Sequence, residues 1–132
     1  MSVFSPEQIS YLQSQRLGRL ATVGPTGQPH VVPVGFRYNP ELDTIDVGGH
    51  DFAKRKKFRD VQRNPKVAIV IDDIVSVNPW TVRGIEIRGV AEVLTTGGES
   101  VIRGFDADMF RIKPKRVVSW GSLQSHEPSA KQ

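Results

Sequence analysis

The chain has 132 residues, 38% of them hydrophobic, which is the size of one ordinary domain. It contains no cysteine, so disulfides, thiol catalysis and thiolate metal sites are excluded. No apolar run approaches the roughly 20 residues of a membrane span, and the first residues, MSVFSPEQIS, do not resemble a signal peptide. We therefore expect a cytoplasmic protein, with one domain over residues 1–123 and a flexible polar tail over residues 124–132.

The first predicted element is a helix. Ser5 is a suitable N-cap, Pro6 suits the first helical position, and Gln8 completes a capping box. We expect this helix to end near Gly18. Its predicted inner face consists of Ile9, Leu12 and Leu17.

Three strands are predicted next, at residues 19–23, 28–38 and 44–49. The sequences between them, GPTG and NPELD, are strong turn signals. Short turns between alternating segments indicate an antiparallel meander. The inward face of the second strand is predicted to be Val32, Val34, Phe36 and Tyr38.

A second helix is predicted at residues 52–63, with Asp51 as its cap and Asn64-Pro65 as its end. The run VAIVI that follows is continuously apolar, which is typical of a strand buried on both faces. Strands are also predicted at residues 83–95 and 116–120, whereas residues 97–113 show no clear pattern. Without βαβ alternation a Rossmann domain is not expected, and short turns between many strands indicate a closed barrel.

A cluster of cations opens the second predicted helix: five of the six residues in KRKKFR, residues 54–59, are basic. The start of a helix carries partial positive charge, so cations are poorly placed there. One interpretation is an anion site, because free backbone amides with Lys and Arg nearby suit a phosphate. The other is a solvated helix face. With a net charge of only +4, the pattern favours a small anionic ligand as readily as nucleic acid.

The segment HVVPVGF, residues 30–36, places a proline inside an apolar strand. Proline cannot donate to a strand ladder, so Pro33 marks an edge or a bulge. Such an edge would present backbone groups to a flat ligand, or would simply be the rim of the barrel. The three histidines lack metal-ligand spacing, and no hydrolase or kinase motif is present, so we expect neither a metal nor those chemistries.

Four segments in this order resemble the flavin- and deazaflavin-dependent oxidoreductases of the split β-barrel superfamily, related to pyridoxamine 5′-phosphate oxidase. They are LGRLATVGPTGQPHVVPVGF, KRKKFRDVQRNPKVAIVI, GIEIRGVAEV and RIKPKRVVSWG, and together they span about residues 15–121. The resemblance implies a mainly β, six-stranded antiparallel split barrel that forms a homodimer, with the cofactor at the dimer interface.

The resemblance also implies the roles of particular residues. The cofactor phosphate would contact Arg55, Lys56 and Lys57. The ring would lie along Val32, Pro33 and Val34, with Gly49 and His50 near its edge and Trp80 and Trp120 as pocket walls. No catalytic acid is assigned, and His50 is the candidate proton donor. The position of Asp60 is often asparagine in this family, so Asp60 is expected to orient a lysine instead.

The expected function is that of a reductase that takes hydride from reduced coenzyme F-420 and reduces a small organic substrate. The short chain and its SWG ending resemble the F-420 branch of the family, whose cofactor carries a glutamate tail. Further cations available for such a tail are Arg59, Arg63, Lys113, Lys115 and Arg116.

Two alternatives remain open. One is an FMN-binding protein related to pyridoxamine-phosphate oxidase. The other is a non-catalytic barrel that binds a cofactor or nucleic acid. The aromatic content of 8% and the clustering of cations on one helix argue against nucleic acid as a partner.

Overall fold

In the computed structural model the described residues are 2–123, so the predicted tail at residues 124–132 lies outside them. Within residues 2–123, two α-helices and six strands follow one another. They are α1 Pro6–Ser14, β1 Leu17–Val23, β2 Pro29–Asn39, β3 Thr44–Gly48, α2 Lys56–Arg63, β4 Lys66–Ser76, β5 Thr81–Leu94 and β6 Met109–Trp120.

The six strands form a closed barrel in the order β1-β2-β3-β6-β5-β4, and every neighbouring pair is antiparallel. The predicted six-stranded antiparallel barrel is therefore confirmed. Its core is the set of side chains that alternation points inward. On β2 these are Val34, Phe36 and Tyr38, as predicted, and on β5 they include Ile85 and Ile87, which are fully buried.

The first helix starts as predicted and ends earlier. Ser5 accepts a hydrogen bond from the Gln8 backbone N–H, and the capping box is complete. The helix stops at Ser14, so the prediction that it ends near Gly18 is wrong. Gly18 lies in β1, where a Cβ atom would come within 2.9 Å of Ile69 Cδ1. The glycine allows close packing in the barrel and does not end a helix. Leu17 lies on the same strand and is 63% exposed, so its predicted place on the inner face of the helix is wrong.

The central apolar run of β4 is buried on one face only within residues 2–123. Val67, Ile69 and Ile71 point into the core, whereas Ala68 and Val70 on the outer face are half-buried. The prediction of a strand buried on both faces is therefore wrong for the described chain.

The unassigned region before the last strand contains a short 3-10 turn at Gly98–Ser100 and then a loop. The last strand starts at Met109, earlier than the predicted residue 116, and pairs with β3 at its start and with β5 along its length. Its register with β5 shifts between Arg88 and Gly89, opposite Pro114. This proline breaks the ladder and obscured the strand in the sequence pattern.

Candidate functional site

A cleft with a volume of about 550 Å³ opens where the first half of β2, the end of β3 and the start of α2 meet. Eight of the ten residues predicted to contact a cofactor line it. They are Val32, Pro33, Val34, Gly49, His50, Arg55, Lys56 and Lys57. The cleft is also lined by four residues that sequence reasoning did not assign, namely His30, Gly35, Gly48 and Phe105.

One side of the cleft is an edge of β2. The strand pairs with β1 over Pro29–Gly35, but its register with β3 begins only at Gly35 and runs to Asn39. The first half of β2 therefore has no β3 residue paired to its other edge. Pro33 lies in this half, at an edge of the strand, as the sequence indicated. Backbone groups of this edge are available to a ligand.

The other side of the cleft is built on a pair of glycines. Gly35 and Gly48 face each other across β2 and β3, and Phe105 lies against both. A Cβ atom at Gly35 would come within 2.8 Å of the Phe105 ring, and one at Gly48 within 3.1 Å. His50 stands edge-on to the same ring, with centroids 5.4 Å apart. The glycines thus let an aromatic side chain from the β5–β6 connection close this wall.

The basic end of the cleft is a turn followed by a helix, not one helix over residues 52–63 as predicted. A 3-10 turn covers Phe52–Lys54, and α2 begins at Lys56 with Arg55 in extended conformation as its N-cap. Asp51 has a left-handed backbone with φ of 51° and makes no capping hydrogen bond to the described residues, so its predicted role is wrong. The fully buried Phe52 sets this geometry, because its ring packs against Phe58 and Phe110.

The cations of this end are not equivalent. Lys56 Nζ donates to Asp60 Oδ2 at 2.7 Å, and the Asp60 side chain is 4% exposed, so Asp60 orients a lysine as expected. Arg55 donates from Nε to the His50 carbonyl at 3.3 Å. Lys57 lies over the Phe52 ring. Neither Arg55 nor Lys57 has an acidic partner within residues 2–123.

The electrostatics of the cleft favour an anion. Partial burial lowers the pKa of Lys57, and the neighbouring charge of Arg55 lowers it further. A bound anion would oppose both effects, because an opposite charge stabilises the protonated amine. The cleft therefore combines two cations without acidic partners, a third held in place by Asp60, and an open strand edge.

Neither tryptophan lines the cleft formed by residues 2–123, and their role as pocket walls, one from each subunit, stays a prediction. Trp80 is 66% exposed in the β4–β5 connection. Trp120 ends β6 and packs on Gly84, where a Cβ atom would come within 2.5 Å of the indole. The β5–β6 register, which places Gly84 opposite Trp120, holds the ring away from the cleft.

The further cations predicted for a glutamate tail also lie outside the cleft as the described residues form it. Arg59 and Arg63 are exposed on α2, and Lys113 approaches Glu92 at 3.8 Å. Lys115 borders a separate apolar groove between β1, β4 and β5, and Arg116 lies beside it in sequence on β6.

No group of three or more potential metal ligands occurs among residues 2–123. In the same part of the chain, no helix has both the length and the apolar character needed to cross a membrane.

The four cleft residues that were not predicted differ in how far the sequence could have indicated them. His30 alternates with Val32 and Val34, so its inward direction was predictable from the pattern. Phe105 lies in the stretch without a clear pattern and reaches the cleft only through tertiary packing. The role of Gly35 and Gly48 can be recognised only when the strand register is known to pair them.

The fold is a closed six-stranded barrel whose cleft has a basic end and an open strand edge. The model of the pyridoxamine 5′-phosphate oxidase family matches residues 4–124, nearly the whole chain. The chain therefore belongs to this family, and the predicted resemblance is confirmed.

Known relatives agree with this assignment. The chain is 44% identical over 118 residues to the 5a,11a-dehydrotetracycline/5a,11a-dehydrooxytetracycline reductase of Streptomyces rimosus, covering 89% of this chain and 83% of that protein. This relationship also confirms the predicted enzyme class, an oxidoreductase.

Solved structures show the same fold. A conserved hypothetical protein of Mycobacterium tuberculosis, Rv2991, is 25% identical with a TM-score of 0.70, covering 91% of this chain and 86% of that one. A structure described as an F420 reductase is 23% identical with a TM-score of 0.62, covering 82% and 93%.

Proposed function

We propose that the protein is a reductase that uses reduced coenzyme F-420 as hydride donor toward a small organic substrate. The observation that carries the proposal is the cleft, which has three cations at one end and an open strand edge along one side. A flat cofactor with a phosphate matches both features. When bound, the deazaflavin supplies the hydride, and the protein supplies position and electrostatics.

The phosphate is assigned to the basic end of the cleft. Arg55 and Lys57 have no acidic partner within residues 2–123 and are the primary contacts, while Lys56 contributes from the position that Asp60 gives it. The backbone amides of Lys56 and Lys57, at the start of α2, add donors, whereas the Phe58 amide already donates to the Arg55 carbonyl at 3.1 Å. The lowered pKa of Lys57 fits this role, because a bound anion would oppose both causes of the shift by stabilising the protonated amine.

The ring is assigned to the edge formed by Val32, Pro33 and Val34, with Gly49 and His50 at its rim. Apolar side chains and backbone groups suit a tricyclic ring whose polar atoms lie along one side. His50 is exposed at the mouth of the cleft and is the candidate proton donor. Arg59 and Arg63 continue the positive charge along α2 and are assigned to the glutamate tail of the cofactor.

The substrate class follows from the relative. That protein is named for its action on dehydrotetracyclines, and at 44% identity we extend a flat, polycyclic, unsaturated substrate to this chain. Such a molecule is suited to stacking on a planar cofactor in an open cleft.

The absence of cysteine agrees with a cytoplasmic location.

The functional form is assigned as a homodimer. The outer faces of β1, β2 and β4 carry an apolar row, because Val31 pairs with Ala21 and Ala21 pairs with Ala68. Val31 is 64% exposed in the single chain. A second copy on this face would bury the outer side of β4. Trp80, exposed on the β4–β5 connection, is then available as a wall for the partner's cleft.

The proposal is tested by calorimetric titration of the protein with F-420 and, separately, with FMN. Micromolar binding of F-420 with much weaker binding of FMN is expected. Reduced F-420 with a dehydrotetracycline should then return to the oxidised form, and no return should occur without protein or without substrate. Preference for FMN would move the protein to the oxidase branch of the same fold, and binding of neither cofactor would contradict the proposal.

A further inference from the structure

Two buried polar atoms beside the cleft have no hydrogen-bond partner among residues 2–123. They are Oγ1 of Thr22 and Nδ1 of His30. Thr22 is 1% exposed on β1, and His30 lines the cleft from β2. The strand register places the two residues directly opposite each other, so their side chains share one face with Cβ atoms about 5 Å apart.

This pair departs from how the chain treats its other buried polar side chains. Thr44 donates to Asp46 Oδ1 at 3.0 Å, Asn39 donates to Asp46 Oδ2 at 3.0 Å, and Ser119 donates to the Leu123 carbonyl at 2.8 Å. A buried polar group without a partner costs stability. Proteins tolerate such a loss of stability mainly at functional sites. The presence of this unpartnered pair beside the cleft therefore points to a role in binding.

The two groups are chemically complementary. A threonine hydroxyl can donate, and the Nδ1 of a neutral imidazole can accept. A small change in the side-chain torsion of either residue, or one bridging water, would satisfy both atoms. With Nδ1 as acceptor, the proton of the neutral ring resides on Nε2, because the partner of one ring nitrogen sets the state of the other. The rest of the ring, which carries Nε2, is the part of His30 left to face the cleft.

We propose that Thr22 and His30 form a hydrogen-bonding element of the cleft, in which Thr22 fixes the His30 tautomer and His30 donates from Nε2 to the ring system of the bound cofactor. The ligand group that accepts is a carbonyl or an unprotonated ring nitrogen, such as a deazaflavin or flavin carries. This inference rests on the proposed function. His30 is thus a binding residue, and Thr22 is a positioning residue that acts through it.

The first test needs no ligand. Nitrogen-15 NMR of the whole protein distinguishes the two imidazole tautomers, and His30→Gln and His50→Gln assign the signals. We expect His30 as the Nε2–H tautomer in the wild type, and a shift toward a mixture of tautomers in Thr22→Val. A wild-type His30 with its proton on Nδ1 would overturn the inference.

The second test measures affinity for F-420 together with the melting temperature. Thr22→Val should weaken binding by about three- to tenfold, the worth of one hydrogen bond, and should also lower the melting temperature modestly, because it removes the hydrogen bond to His30. Thr22→Ser keeps the hydroxyl and should retain affinity. His30→Leu should lose at least as much affinity as Thr22→Val.

Thr44→Val is the matched control, because it removes a buried threonine hydroxyl that has a partner. It should lower the melting temperature and leave the affinity unchanged. If Thr22 has only a structural role, Thr22→Val should likewise melt at a lower temperature and bind F-420 with unchanged affinity. That outcome would overturn the inference while the proposed function stands. If the wild type binds neither F-420 nor FMN, the proposed function fails, and the ligand part of this inference fails with it.

Discussion

Lys56 and Lys57 occupy the first turn of α2, where the helix dipole disfavours a cation by about 0.3–1 kcal/mol per group. Asp60 offsets the charge of Lys56 one turn later through the 2.7 Å ion pair. It leaves Lys57 and Arg55 without an acidic partner in the described chain, with the pKa of Lys57 lowered by burial and by Arg55. The uncompensated positive charge at the start of α2 is thus carried by Arg55 and Lys57, two side chains that line the cleft.

Removing those two side chains should separate ligand binding from folding. We expect Arg55→Ala with Lys57→Ala to weaken F-420 binding by at least about tenfold, because each charge-assisted contact is worth about 1.5–3 kcal/mol. The unfolding midpoint in urea should hardly change. Arg16→Ala with Lys66→Ala removes the same net charge from exposed positions outside the cleft and should bind normally. An equal loss of F-420 affinity in both double variants would show that the effect comes from net charge and not from contacts in the cleft.

Asp60 can be tested without disturbing its geometry. Asn at this position still accepts a hydrogen bond from Lys56 but removes a negative charge near the anion. Asp60→Asn should therefore tighten F-420 binding by about two- to threefold, a small Coulomb effect in a solvated site, and the gain should shrink with added salt. Weaker binding by Asp60→Asn, measured by the same titration, would show that the full charge is needed to hold Lys56.

The helix α1 depends on a small polar cluster for its position on the barrel. The Tyr11 hydroxyl donates to Asp73 Oδ1 at 2.6 Å, Arg83 donates to both oxygens of Asp73, and the Arg83 guanidinium lies over the Tyr11 ring. Hydrogen bonds from Arg83 and then from Tyr11 lower the pKa of the Asp73 carboxyl. The cluster joins α1 to β4 and β5, so it belongs to the scaffold and not to the cleft.

This cluster predicts a pH-dependent contribution to stability. A carboxyl with a lowered folded-state pKa stabilises the fold above its unfolded pKa of about 3.9, and the contribution is lost as pH falls through the folded value. Asp73→Asn should therefore lower the free energy of unfolding by about 1–2 kcal/mol at neutral pH, and its difference from the wild type should close below about pH 4.

The neighbouring residue supplies the control for Asp73. Asp72 pairs with Arg19 at 2.6 Å, but these side chains are 44% and 61% exposed. Asp72→Asn should change stability by no more than about 0.5 kcal/mol at any pH, as exposed pairs generally do. Urea unfolding of both variants between pH 3 and pH 7 makes the comparison, and an equal effect of the two substitutions would contradict the role of Asp73 in the Tyr11–Arg83 cluster.

At the scale of the molecule, the outer face of β1, β2 and β4 is an apolar surface that the described chain leaves partly exposed. Ala21, Ala68 and Val70 are half-buried there, and Val31 is exposed. An apolar surface of this kind on a small protein is typical of an interface. Since the cleft borders the same strand β2, assembly on this face would also change what surrounds the ligand.

The dimer can be tested by placing a charge on that face. Ala68→Glu should convert a wild-type dimer into a monomer in sedimentation velocity, because an unpaired charge in an apolar interface is costly. It should also weaken F-420 binding if the partner supplies a wall. Leu42→Glu, at an exposed apolar position in the β2–β3 turn, should remain dimeric. A wild type that sediments as a monomer at micromolar concentrations would contradict the proposal.

The sequence by itself determined the parts of this protein that depend on local pattern. Alternation along β2, the turn signals between the first three strands and the capping box of α1 are short-range features, and the barrel follows from them. The basic residues and Asp60 are close in sequence, at helical spacing, so the cation set of the cleft was also predictable.

Tertiary structure alone decided the rest, because it depends on contacts between residues far apart in the chain. Because Phe52 is buried against Phe110, the chain forms a separate turn there, and the helix begins at Lys56 and not at residue 52 as predicted. The pairing of Gly35 with Gly48 admitted Phe105 to the cleft, and the pairing of Gly84 with Trp120 kept that tryptophan out of it. The opposition of Thr22 and His30 is likewise a matter of register, which local pattern does not specify until the strands have been paired.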